Sequence, residues 1–330
     1  IQENAIAANE HKERKEKDHG GTGSTGDSGG KFTKRKHGMV KVWSLAARPK
    51  TLPAAVAPVV IGSAIAFHDA GIVHWLSFSC ALAGAILIQI GTNFANDYFD
   101  FVKGTDTAER IGPMRATQAG LIRPGTMRLA SVVAFALALL PGAYIVYRGG
   151  WPYLAIGVFS IICGILYTGG PFPLGYMGLG DVFVLIFFGP VAVCGTYYLH
   201  VLDITSDVFI ASLSPGLISC ALLTVNNLRD VEQDRAGNKR TLAVRFGRGF
   251  ARAEYIFCVV IACVAVPIYF TVVLNTYWFV AVPVICLIAA LSPIRAVLRS
   301  VEGPVLNNAL ASTGKLLLVF SAAFSVCFLL

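Results

Sequence analysis

Nine stretches of this chain are almost wholly apolar: 52–67, 75–95, 127–147, 153–167, 181–199, 208–228, 251–273, 278–291 and 312–330. A hydrocarbon core of roughly 30 Å is crossed by about 20 such residues in a helix. In lipid a helix satisfies its own backbone hydrogen bonds, so each stretch is read as a spanning helix. The rest of the composition agrees, since 55% of the 330 residues are hydrophobic and only 14% charged, which is not the balance of a soluble domain. The expectation is an all-α polytopic membrane protein with nine transmembrane helices. Pro58, Pro141, Pro190, Pro215 and Pro283 fall in or near these stretches, where neighbouring helices can absorb the breaks.

Residues 1–40 are of a different material. Charge mixed with Gly, Ser and Thr, and no apolar period, leaves too little surface to bury against the entropy of ordering. The segment reads as a disordered basic tail, with the transmembrane domain at 41–330. It has no apolar centre of a signal peptide, so removal on secretion is not expected. The net charge of +8 sits in this tail and in alternate loops. One loop set holds Lys103, Arg110, Arg115, Arg123, then Arg229, Arg235, Lys239, Arg240, Arg245, Arg248, then Arg295 and Arg299; the other holds only Arg148. That is a topology signal placing the tail and the large loops in the cytoplasm, not a nucleic-acid patch. The eight cysteines contain no C-x-x-C pair and lie nearly all in apolar runs, as small core residues do.

Two polar clusters break the apolar pattern. The second span ends in "NFANDYFDFVKGTD", with Asn93, Asn96, Asp97 and Asp100 on one helical face. The sixth ends in "NNLRDVEQDRAGNKR", with Asn226, Asp230 and Asp234 at i, i+4 and i+8 and Asn227 beside them. These two spans run the same way, so both acidic faces reach one side of the membrane at one depth. Loop carboxylates next to Arg and Lys are most often solvated surface, but carboxylates near hydrocarbon are costly and point to function. Paired clusters with amides suit Mg²⁺, which takes one or two carboxylates and completes its shell with water and phosphate oxygens. A diphosphate held between two metals, with loop Arg and Lys carrying its remaining charge, follows from that chemistry. The six histidines fall in the tail or the poorly charged loops and are given no role. A transporter is the rival from another class, since acids and kinked helices also suit ion pathways.

The two motifs together resemble those of the UbiA superfamily of intramembrane aromatic prenyltransferases. "RPKTLPAA", "GTDTAERIGPMRATQAG", "LYTGG" and "GLGDVFV" are similar to the branch that prenylates 1,4-dihydroxy-2-naphthoate. The resemblance runs from about residue 44 to the end. It implies nine helices around a central cavity capped by cytoplasmic loops, with Mg²⁺, two ions bridging the diphosphate, as cofactor. It implies polyprenyl diphosphate and 1,4-dihydroxy-2-naphthoate as substrates, loss of CO₂, and demethylmenaquinone as product. Carried over by position, Asn96, Asp97, Asp100, Asn227, Asp230 and Asp234 would hold metal. Asp106 joins them in the Lys-Gly-x-Asp form, because Gly104 stands where the wider pattern has a third aspartate. Tyr167 would face the allylic cation, with Tyr98, Phe99 and Tyr176 as further aromatics; Pro171 stands where many relatives have a lysine. Arg48, Lys50, Arg115 and Gln118 would meet the acceptor carboxylate or the diphosphate. Lys103, Arg123, Arg229, Lys239 and Arg245 are further phosphate candidates. Transfer to 4-hydroxybenzoate or homogentisate is the alternative within the class.

Overall fold

The computed structural model describes residues 38–105, 112 and 114–330; most of the tail and Asp106 lie outside them. A short helix, α1 (Met39–Ala47), lies before the first expected span. It is followed by α2 (Pro53–Ala70), α3 (Trp75–Val102), α4 (Pro124–Gly149), α5 (Trp151–Leu166) and α6 (Gly180–Val201). Then come α7 (Ser206–Arg229), the single turn and a half of α8 (Val231–Ala236), α9 (Leu242–Val273), α10 (Tyr277–Arg299) and α11 (Gly303–Leu329). Every stretch expected to span is helical, and the described residues contain no strand. Eight of the helices have the length and hydropathy to cross a membrane. The ninth, α5, has only 16 residues, about 24 Å at 1.5 Å per residue.

The helices pack in a closed order. The neighbours are α3 with α4, α4 with α5, α2 with α3 and α6, α6 with α7, α7 with α9, α10 with α11, and α11 back onto α2 and α7. The α7 helix is the innermost, 72% of its apolar window being buried. Lipid offers no hydrophobic drive between helices, so small residues and close backbone approach must supply the contact. At Gly62 of α2 an added Cβ would stand 2.5 Å from the Val193 carbonyl oxygen of α6. At Gly216 of α7 it would meet the Leu185 carbonyl oxygen at 2.9 Å. The α6 helix relaxes there: Gly189 leaves helical geometry (φ −105°, ψ −107°) before Pro190, within a wide turn over Phe187–Val191. In α9 the chain breaks at Gly247, whose φ of +86° only glycine adopts readily.

The loop sets that charge distinguished also part in space. His68, His74, Arg148 and His200 collect at one end, where Arg148 donates to the carbonyls of Leu199 and His200. His200 is buried, bonded to Ser63 at 3.0 Å and accepting the His74 backbone N–H at 3.1 Å. Such a polar stitch satisfies groups that lipid would leave stranded. The basic loops and both acidic motifs lie at the opposite end.

Candidate active site

The α3 helix outlasts its apolar run by about two turns and remains helical to Val102. That carries the first motif inward rather than into a solvated loop: Asp97 and Asp100 are each 1% exposed and Asn96 7%. The surface reading of these acids is thereby excluded, since buried carboxylates persist only where they are paired or hydrogen-bonded. Asp100 is paired several times over. Arg115 Nη2 stands 2.9 Å from its Oδ2, Lys239 Nζ 3.5 Å from its Oδ1, and the Tyr176 hydroxyl donates to Oδ1 at 3.1 Å. Asn96 accepts from Thr168 Oγ1 at 2.8 Å, and Asn93 donates to the Ala47 carbonyl at 3.0 Å. The Asp97 carboxylate takes a different course. It accepts the backbone N–H groups of Ala116 and Thr117 at 3.2 and 3.3 Å and does not line the cavity its neighbours line.

The second motif is not one uninterrupted helical stripe. The α7 helix ends at Arg229, and Asp230 (φ −97°, ψ 12°) breaks the chain before α8. The backbone still links Asp230 N–H to the Asn226 carbonyl and Asp234 N–H to the Asp230 carbonyl, so the one-turn stagger expected from spacing survives the break. Arg229, 3% exposed, grips the Asp230 carboxylate with two donors, Nε to Oδ1 at 2.7 Å and Nη2 to Oδ2 at 2.6 Å. It also donates to the side-chain oxygens of Asn226 and Asn307. Its fork is thus committed to organising the motif.

The two motifs face one polar cavity of about 80 Å³, lined by Asn96, Asp100, Asn226, Asn227, Asp230 and Asp234. The cations of the same wall are Arg48, Arg115 and Lys239, and Tyr167, Thr168 and Tyr176 also line it. Lys239 reaches across the gap, 3.5 Å from Asp100 and 4.0 Å from Asp234. Its ammonium also lies 4.8 Å from the centre of the Tyr176 ring, with that of Lys103 at 4.9 Å. Two ammonium groups on one phenol ring are held there by the ring's negative face and the Asp100 charge. Lys103 donates to the carbonyls of Thr168 and Gly170 at 2.6 and 3.2 Å, next to Pro171. Burial lowers its pKa, against the pull of Asp100 in the other direction. Gly178, at φ +74°, brings this loop against the Arg240 carbonyl, where a Cβ would sit at 2.6 Å.

Other expected residues are less central. Lys50 and Arg123 are exposed, Gln118 is half-buried, and none of the three lines the cavity. Arg245 is spent on the carbonyls of Arg240 and Met177. Asp106 lies outside the described residues. Sequence reasoning passed over Thr105, Thr168 and Gln233, which line the cavity; polar residues of loops carry no period to mark them. It also passed over Asp181, 9% exposed at the start of α6 with Oδ1 lacking a hydrogen-bond partner. The signal was present: a carboxylate opening an apolar span.

Among the described residues no three His, Cys, Asp or Glu side chains meet at one point. The donors divide instead into a first set, Asn96 and Asp100, and a second, Asn226, Asn227, Asp230 and Asp234, across the cavity. That division fits Mg²⁺, which binds through one or two carboxylates and fills its shell with water and phosphate oxygens. The bridging Lys239 marks the gap as a place where positive charge is stabilised.

The sequence profile of the UbiA prenyltransferase family matches residues 55–303. The chain is 39% identical over 234 residues to 1,4-dihydroxy-2-naphthoate octaprenyltransferase of Haemophilus influenzae, covering 68% of this chain and 75% of that one. It is 38% identical over 288 residues to the enzyme of the same name from Mycobacterium tuberculosis, covering 85% and 94%. Among solved structures, a UbiA homolog from Archaeoglobus fulgidus shares the fold at a TM-score of 0.58 and 15% identity, covering 88% of this chain and 100% of that one. Structures of such a homolog bound to DMAPP or GPP with Mg²⁺ superpose at TM-scores of 0.55 and 0.56, each at 14% identity and covering 86% of this chain and 99% of that one.

Proposed function

This chain belongs to the UbiA prenyltransferase family and is a membrane-embedded prenyltransferase, and we propose that it transfers a polyprenyl group from polyprenyl diphosphate to 1,4-dihydroxy-2-naphthoate. The observation that carries the reading is the convergence of Asp100, Asp230 and Asp234 with Arg48, Arg115 and Lys239 on one cavity. The relatives' names supply the acceptor. The transfer is redox-neutral, so its product is the quinol form, demethylmenaquinol, and the reaction belongs to menaquinone biosynthesis. The positive-inside pattern supports a reading with the N-terminus and the basic loops on the cytoplasmic side, of the inner membrane in a bacterium.

When bound, Mg²⁺, two ions on the diphosphate, neutralises leaving-group charge. Asp100, Asp230 and Asp234, with the Asn96 and Asn227 amides, would be its ligands, with Asp106 a further one from sequence. Arg48, Arg115 and Lys239 hold the phosphate oxygens. As the C–O bond at prenyl C1 breaks, its electron pair leaves with the diphosphate. Tyr167 presents its ring to the allylic cation that remains, and the surrounding helices keep water from it. The ring carbon bearing the carboxylate then bonds to C1, and loss of CO₂ returns the electron pair to the ring. The chain's task toward the acceptor is positioning.

The test is a product assay. Purified protein with farnesyl diphosphate, Mg²⁺ and 1,4-dihydroxy-2-naphthoate is expected to yield a prenylated product lighter by CO₂ in mass spectrometry, and none with 4-hydroxybenzoate or homogentisate. Product with either of the latter alone would move the acceptor assignment. No product with any acceptor, from folded protein, would remove the enzymatic reading and favour the transporter.

A further inference from the structure

Two carboxylates one turn apart in the first motif do different work. Asp100 faces the cavity and takes Arg115, Lys239 and Tyr176. Asp97, equally buried, points its two oxygens at backbone N–H groups of Ala116 and Thr117. Those amides open one helical turn: Ala119 N–H returns to the Arg115 carbonyl, Gly120 N–H to Thr117, and Leu121 N–H to Ala116, each at 3.0 Å. Gly120, at φ +67°, closes the turn in the left-handed region. The first amides of any helical turn have no partner within it, and here Asp97 is the cap, supplied from another helix. The underside of the turn is apolar. Ala116 and Ile122 are buried with Val42 and Ala46 of α1, Phe94 of α3 and Met127 of α4.

Arg115 is the residue immediately before this turn, so its guanidinium is placed by the turn's position. The geometry points to Asp97 as a positioning residue: it caps the 116–120 turn and thereby holds Arg115 on Asp100, and it is not a ligand of the metal. A carboxylate with both oxygens on backbone donors and no place in the cavity wall has little left to give a cation. The inference rests on the reading of the cavity as a metal-diphosphate site, and its test separates the two.

Hydrogen exchange of the peptide spanning 114–122 is measured for the wild type, Asp97→Ala, Asp97→Asn and Asp100→Asn. Alongside it runs the thermal stabilisation given by geranyl diphosphate with Mg²⁺. The expected result is exchange at least about tenfold faster in Asp97→Ala, an intermediate value in Asp97→Asn, whose amide oxygen can still accept one N–H, and near-wild-type exchange in Asp100→Asn. Stabilisation by geranyl diphosphate and Mg²⁺ is expected to survive in Asp97→Asn at ligand concentrations raised up to about tenfold, and to be lost in Asp100→Asn. Unchanged exchange in Asp97→Ala overturns the inference. So does loss of stabilisation in Asp97→Asn as complete as in Asp100→Asn, which would make Asp97 a ligand. If the wild type itself is not stabilised, the metal-diphosphate reading fails, and the exchange result alone decides whether Asp97 holds the turn.

Discussion

Asp100→Asn is expected to lower kcat/KM for prenyl transfer by about 10³-fold or more, a loss of about 4 kcal/mol of transition-state stabilisation. The carboxylate is buried, it meets Arg115, Lys239 and Tyr176, and it stands on the first-motif side of the cavity opposite Asp230 and Asp234. An asparagine keeps the size and could still accept from Tyr176, so the fold should persist. What it removes is the charge that a cation on the diphosphate needs. The comparison is made by initial rates across Mg²⁺ concentrations, and added Mg²⁺ should not restore the rate. A variant that retains a tenth or more of the wild-type rate would show that the first motif does not carry the metal.

Arg229→Met should act by another route and damage stability first. Arg229 is the buried clamp on Asp230, Asn226 and Asn307. Removing one partner of a buried ion pair strands the other, at a cost of about 3–5 kcal/mol. For a chain of this size that is a fall in Tm of roughly 5 °C. The pair with Asp230→Asn distinguishes this from general damage. Taking away both charges should recover most of the lost Tm, because neither is then left alone, while activity stays absent. A double variant no more stable than Arg229→Met would mean that the arginine holds the helices by packing and not through the Asp230 charge.

The helices were legible because each one must hide its backbone from lipid, and that requirement writes a long apolar run. Ends were less so. The α3 helix continues through Asn96, Asp97 and Asp100 to Val102, since tertiary pairing replaces the apolar signal there. The α1 helix, nine residues long, is too short to declare a period, yet its Val42 and Ala46 are buried against Phe94 and Met127. The break at Asp230 was hidden for the opposite reason: spacing of four fits a helix and also fits two helices joined at a bend. Within the site, spacing identified which residues come together across 130 positions of chain. It could not tell which way each carboxylate turns. Asp97 and Asp100 share a helical face in projection, but the partners of Asp97 lie 19 and 20 residues on, a relation no periodicity encodes. Lys239 was one of many loop cations in sequence, and only folding shows it lying between Asp100 and Asp234.

Calorimetric titration of the detergent-purified protein with farnesyl diphosphate, with and without Mg²⁺, tests most directly whether the two acidic clusters together hold a metal-bound diphosphate. The account predicts binding that requires Mg²⁺ and is lost both in Asp100→Asn and in Asp230→Asn. Equal affinity without Mg²⁺, or Mg²⁺-dependent binding that survives either substitution unchanged, would contradict it.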